Sequence, residues 1–183
     1  HSFVPQKKVE QDKEDIPYRE WQKEGLLTIC PGEYIEKEQI YDWIIAKSNK
    51  FAVANIAYDP ARAYRLNQDL QAYGGADWTV AVRQGALTLM PAIKDIRELL
   101  LAGKVVFNNN KLFRWYLNNV VLGPPDRNGN RLPTKKHNYR KIDGFAAWLN
   151  AHTETMKYMK TPEQEGAGNV SFISAKSLRG GGE

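Results

Sequence analysis

The sequence predicts an α/β domain. Short apolar runs rich in Val, Ile and Leu alternate with longer stretches whose apolar residues recur three and four apart, as strands and amphipathic helices do. Gly, Pro and Asn punctuate nearly every junction between them. The 183 residues, 42% hydrophobic and 26% charged, are enough for one domain with a buried core and short for two.

The chain opens with a short apolar piece, Ser2 to Pro5, and His1 reads as the interior of an element already under way. A charged run with little to bury follows, to residue 16. Tyr18 and Trp21 mark a short helix that Gly25 stops, and 26–29 is a strand closed by the Pro31-Gly32 turn. Across 36–48, Ile40, Trp43 and Ile44 recur at helical spacing among charged residues. Residues 53–58 form a buried strand, and 60–73 a helix with Ala63, Leu66 and Leu70 inward, ended by Gly74-Gly75. A strand over 78–82 follows. Pro91 suits a first helical turn, with Ile93, Ile96, Leu99 and Leu100 carrying the stripe down to Gly103. Residues 104–107 are predicted as a strand, 108–110 as a turn, and 111–118 as a helix with Phe113 and Leu117 inward. Asn128-Gly129 predicts a hairpin between 120–122 and the residues after Asn130. A last helix spans about 141–159. The composition then turns to Gly, Glu and Ser, so residues 1–160 are expected to fold and 161–183 to form a loose tail.

Composition narrows the chemistry. No run is long and apolar enough to cross a bilayer, and no charged-then-apolar leader opens the chain, so a cytoplasmic protein with no membrane partner is expected. The single cysteine, Cys30, cannot make an internal disulfide. One cysteine and the scattered His1, His137 and His152 make no zinc signature, so a metal here would take oxygen ligands. The net charge of +5 is concentrated in residues 101–150, which hold nine basic residues against two acidic ones. It is densest at Arg131, Lys135, Lys136, Arg140 and Lys141, where a polyanion would meet a local positive field. A solvated lysine-rich loop would look the same in sequence.

Two acids stand out by position. Asp59, in "NIAYDPAR", ends the most apolar strand, where side chains at a sheet's carboxyl edge meet solvent and ligands. Asp143, in "KIDGF", falls in the first turn of the last helix beside the apolar Ile142, Phe145, Ala146 and Leu149. Each has a structural explanation: Asp before Pro is a good helix cap, and an acid in a first turn is favoured by the helix dipole. Two acids near a sheet edge beside a basic patch also describe a Mg²⁺ or Mn²⁺ site for phosphodiester cleavage. Other chemistry finds less support. No GxxxxGK[ST] phosphate loop and no glycine elbow around a serine occurs. Cys30 beside Pro-Gly reads as a core cysteine, and Trp21, Trp43, Trp115 and Trp148 as core aromatics on helices.

Four stretches in order, "IPYREWQKEGLLTICPG", "IAYDPARAYRLNQDLQAYG", "VRQGALTLMPAIKDIRELLLAGKV" and "RWYLNNVVLGPPDRNGNRLPTKKHNYRKIDGFAAWLNA", carry a resemblance. From residue 1 to about 152 the chain resembles the C-terminal nuclease domain of the large terminase subunit of tailed bacteriophages and prophages. The resemblance implies an RNase H-like fold, a mixed central sheet flanked by helices. It implies a two-metal Mg²⁺ or Mn²⁺ endonuclease that cuts double-stranded DNA during genome packaging in the bacterial host. The terminase small subunit and the portal are the partners it suggests, with a possible homo-oligomer in the full-length protein. Of the family's three acids, the second matches Asp59 and the third Asp143. The first belongs to a strand that would lie upstream of His1, as would the ATPase domain. Asp12 and Asp15 are the acids nearest that break. Gln84-Gly85 and Asn119 resemble structural or near-site positions, and Arg131, Lys135, Lys136, Arg140 and Lys141 fit DNA-backbone contacts. A non-catalytic DNA-binding or assembly module, or another RNase H-like nuclease of resolvase or integrase type, stays open as an alternative.

Overall fold

A computed structural model describes residues 1–12, 15–61 and 63–160, without the side chains of Met159 and Lys160. The tail expected over 161–183 lies outside the described residues.

Ser2–Pro5 forms strand β1, which pairs in parallel with β2, Leu27–Cys30. Between them come helix α1, Gln6–Gln11, in the charged run that suggested no structure, and α2, Tyr18–Lys23. Helix α3, Lys37–Ser48, starts with a reciprocal capping box between Glu36 and Gln39. Strand β3, Ile56–Tyr58, and β4, Thr79–Ala81, make a second parallel pair, with α4, Tyr64–Gly74, as the crossover between them. Helix α5, Ala86–Leu101, and α6, Lys111–Asn118, precede the antiparallel hairpin of β5, Val120–Leu122, and β6, Pro133–Lys135. Helix α7, Asp143–Lys160, closes the domain. The strands are therefore mixed in direction and lie in three two-stranded ladders flanked by helices.

Two apolar clusters hold these pieces. Val82, Leu89, Ala92, Ile93, Ile96, Phe145 and Leu149 join α5 and α7, with Ala57 of β3 packed against them. Tyr18, Trp21, Leu27, Leu112 and Tyr116 form the second, around β2, α2 and α6. Helix α6 joins the two. Leu112 and Tyr116 face the second cluster, Leu117 packs on the first, and the Phe113 ring lies edge-on to Trp148. Phe113 and Leu117, expected inward, are half-buried, because the more buried face of α6 is the Leu112–Tyr116 face. Cys30 is fully buried, and burial pushes its thiol pKa up, which suits a core residue.

The strand expected as buried over 53–58 is only Ile56–Tyr58 and is half-buried. Three further differences have a clear physical reason. Residues 104–107 form no strand. Gly103, with φ +64°, ends α5, the Lys104 N–H returns to the Leu99 carbonyl, and Val106 stands exposed. Helix α5 begins five residues before Pro91, so the proline sits inside it. Its missing N–H leaves the carbonyl of Leu87 unpaired within the helix, and Leu87 is exposed, where water can serve that carbonyl. Helix α4 begins at Tyr64 with Ala63 as its cap, so Asp59 does not start it. The hairpin holds as expected. At its tip the Asp126 carboxylate accepts from the Asn128 and Asn130 backbone N–H groups, both at 2.8 Å, and from the Asn130 side chain at 3.1 Å.

Candidate functional site

The carboxyl edge of the β3–β4 pair is where sequence and geometry meet. The ladder runs one residue past β4, since the Val82 N–H donates to the Tyr58 carbonyl at 2.8 Å. Asp59 follows at once and is exposed. One of its oxygens, Oδ1, accepts the Ala61 N–H at 2.9 Å, a local Asx turn that sets the rotamer of the carboxylate. Two residues past Val82, Gln84 Nε2 donates to the Val82 carbonyl at 2.8 Å and to Asn150 Oδ1 at 3.0 Å. Asn150 is a buried residue of α7, so this amide pair fastens the helix to the edge.

A second bond gives the direction of α7. Asn55 Nδ2, just before β3, donates to the Tyr158 hydroxyl at 2.8 Å, near the end of α7. The helix therefore runs antiparallel to β3, its late turns over the strand's start and its early turns over the strand's end. Four extended residues from Asn55 to Asp59 span about 13 Å. Eight helical residues from Tyr158 back to Asn150 span about 12 Å. Asp59 thus lies level with Asn150, and Asp143 lies about 10 Å further along the helix at the same end of the sheet.

Asp143 is the first residue of α7 and is exposed. The helix dipole favours a carboxylate there. Gly144 lets α7 sit against α6: a Cβ on it would come 2.3 Å from Cδ2 of the Tyr116 ring. The Tyr116 hydroxyl donates to Ser2 Oγ at 3.0 Å. Burial pushes the Tyr116 pKa up, and the negative charge of Asp143 adds to the rise against the lowering effect of the Ser2 bond.

The basic segment arrives at this edge on a fixed path. Asn119 is buried and holds both of its ends. Its backbone carbonyl accepts the Lys136 N–H at 2.8 Å, and its side-chain Nδ2 donates to the Lys141 carbonyl at 2.9 Å. Between those anchors the Arg140 N–H donates to the His137 carbonyl at 3.0 Å and closes a turn. Lys135 and Lys136 are exposed, Arg140 and Lys141 half-buried, and all four fall within eight residues of Asp143. Arg131 stands apart, before β6, where its Nη1 donates to the Gly123 carbonyl at 3.2 Å.

Several other titratable groups are committed elsewhere. Asp12 accepts from the Tyr18 hydroxyl at 2.8 Å and pairs with Lys8 at 3.0 Å, which makes it a structural acid of the β1–β2 region. Buried His152 lies 2.5 Å from Asp95, linking α7 to α5, and buried Glu154 pairs with Lys157 at 2.5 Å. Among the described residues no three His, Cys, Asp or Glu come together as a metal-binding group. Also among the described residues, no helix is long and apolar enough to span a membrane.

Sequence reasoning left Gln84 and Asn119 as structural or near-site residues and did not single out Asn150. Their contacts span 66 and 22 positions, and no local pattern announces such partners.

The terminase large subunit of Enterobacteria phage HK97 is 29% identical over 147 residues, covering 79% of this chain and 29% of that protein. The crystal structure of the HK97 bacteriophage large terminase superposes with a TM-score of 0.74 at 27% identity, over 83% of this chain and 32% of that one. The chain thus spans under a third of the length of the relative it matches, and its fold is the α/β, RNase H-like one. A family model described as the terminase large subunit, endonuclease domain, matches residues 1–158, and it is to this family that the chain belongs.

Proposed function

We propose that this domain cuts double-stranded DNA with the help of Mg²⁺ or Mn²⁺, as the endonuclease part of a terminase large subunit acting in genome packaging. One relation supports this most. Helix α7 runs antiparallel along β3, so the residue after β3 and the first residue of α7, Asp59 and Asp143, share one end of the sheet. Two exposed carboxylates there are the hard oxygen donors that such cations prefer, and an ion held between them would draw one ligand from each. When bound, the metal supplies charge that polarises the scissile phosphate and acidity that activates water.

The chain's own residues account for the rest. The Ala61 N–H occupies one oxygen of Asp59 and orients the carboxylate, which leaves the other oxygen for the ion. Gln84 and Asn150 hold the strand end against the helix. Lys135, Lys136, Arg140 and Lys141 neutralise backbone phosphates on the approach to Asp143, contacts that position a duplex without reading its sequence. Arg131, before β6, has one guanidinium nitrogen already spent on Gly123 and keeps the rest of its charge for a phosphate.

The test is Mn²⁺-dependent nicking of supercoiled plasmid by Asp143→Asn. The exposed position should keep the fold and lose the cleavage. Undiminished nicking removes Asp143 from the site. Salt-sensitive DNA binding with no Mn²⁺-dependent cleavage by the unsubstituted chain would favour a DNA-holding module instead. A preference for branched DNA would favour a resolvase-type enzyme.

A further inference from the structure

We infer that the turn His137–Arg140 is a stacking platform for an unpaired nucleobase, placed beside the cutting edge. The inference rests on the DNA-binding reading above and adds a contact which that reading does not contain. The rings of His137 and Tyr139 lie parallel, 4° apart in plane with centroids 5.4 Å apart. Both residues are exposed, Tyr139 at 50%. The Arg140 guanidinium lies over the Tyr139 ring, 5.3 Å from its centroid. Other exposed large aromatics of the described residues, such as Tyr34, Phe51, Tyr64 and Tyr158, lie outside the basic segment, and Tyr139 lies within it.

Three features separate this surface from a lysine-rich loop with a stray tyrosine. The turn is closed by its own backbone bond, Arg140 N–H to the His137 carbonyl. Its two flanks are pinned to one buried residue, Asn119, so the rings project from a fixed base. Lys135, Lys136 and Lys141 each lie within two residues of one ring or the other in the chain and bring charge suited to phosphates. Flat rings with cationic flanks are what sequence-tolerant binding of single strands uses, because every base offers a π-face while the backbone supplies the charge. A fully paired duplex hides its base faces in the stack, so the ligand is a base already unpaired: an overhang, a gap or a frayed end. At a cutting edge such a base would come from a nicked or newly cut strand.

The experiment uses the 183-residue chain and two DNAs carrying 2-aminopurine, a duplex with the probe in a single-stranded overhang and the same duplex fully paired. Binding is followed by anisotropy and stacking by probe fluorescence. The unsubstituted chain and Tyr139→Phe should bind the overhang DNA roughly tenfold or more tightly than the paired one and quench its probe. Tyr139→Ala should lose both the preference and the quench, keep its affinity for paired duplex, and melt at the unsubstituted temperature. Tyr139→Ala that still quenches and prefers the overhang overturns the platform. So does an unsubstituted chain that binds paired duplex in a salt-dependent way yet shows no preference, and that result leaves the duplex-cutting reading intact. Failure to bind either DNA overturns both.

Discussion

Asn119 donates from its side-chain amide to the carbonyl of Lys141, 2.9 Å away, and Lys141 is two residues from the first residue of α7. The same asparagine accepts the Lys136 N–H on its own carbonyl at 2.8 Å. One buried residue just before β5 therefore sets where the basic segment leaves the hairpin and where α7 begins. The amide is worth more to the structure than an average hydrogen bond, because losing it strands the Lys141 carbonyl in a partly buried position.

Asn119→Ala should lower stability by about 1–3 kcal/mol, the usual cost of leaving a buried polar group unpaired. The effect should also be local. Hydrogen exchange over 136–142 should quicken more than in α5, whose contacts the substitution does not touch. Uniform acceleration across the domain would mean that Asn119 serves general packing and no more.

Gly144→Ala sets two effects of opposite sign against each other. In an open helix the change would stabilise by about 1 kcal/mol. Here the new Cβ would sit 2.3 Å from the Tyr116 ring, well inside van der Waals contact. Tyr116 is buried and its hydroxyl is bonded to Ser2, so the ring cannot swing away without breaking that bond. Overpacking should win, with a net loss of about 1–3 kcal/mol in denaturant unfolding. In the double substitution with Tyr116→Ala the loss specific to Gly144→Ala should shrink or change sign. Additive losses in that cycle would place the strain elsewhere.

What could be read from the sequence was what local chemistry dictates. Asn128-Gly129 predicted the hairpin, and the turn forms with Asp126 accepting three hydrogen bonds inside it. The periodicity of Ile93 and Ile96 predicted the buried face of α5. Failures came where a local signal has two meanings. Asp-Pro at 59–60 marks a turn here, with the helix delayed to Tyr64. Lys104–Phe107 has strand composition, but a strand needs a partner ladder and none reaches it among the described residues. The candidate acids could be picked out because a carboxylate at a strand end or a helix start is itself a local feature. Their common edge could not, because it depends on Asn55 meeting Tyr158 across 103 positions and Gln84 meeting Asn150 across 66.

The link between Tyr116 and Asp143 can be titrated without any assay of activity. Burial raises the Tyr116 pKa first, and the Asp143 charge raises it further. Asp143→Asn should therefore move the Tyr116 phenol back toward the ordinary value of about 10 in a ¹³Cζ-tyrosine NMR titration. For a group whose pKa is higher folded than unfolded, the stabilisation is complete below the unfolded value and is lost as pH rises through the folded one. The unsubstituted chain should then weaken above about pH 10, and Asp143→Asn should weaken less steeply over that range. A Tyr116 titration identical in both proteins would show that the carboxylate is too well screened to act on the ring.

Salt separates the two roles assigned to the edge, holding DNA and cutting it. Each phosphate contact releases condensed counterion, so log K falls against log salt with a slope of about −0.9 per contact on duplex DNA. Lys135 and Lys136 are exposed and lie on the approach to Asp143. The double substitution Lys135→Ala, Lys136→Ala should weaken duplex binding at low salt and flatten that slope by about 2, equally for unrelated sequences, because phosphate contacts do not read bases. Asp143→Asn removes a negative charge from the same edge and touches no phosphate-binding cation. Its slope should match that of the unsubstituted chain, and its affinity in EDTA should be equal or slightly higher. Cleavage should respond the other way round, abolished by Asp143→Asn at any salt and restored for the lysine variant when enough DNA is supplied. If the lysine variant kept the full salt slope, the basic segment would not be the duplex contact, and Arg131 on the other side of β6 would be the cation to test next.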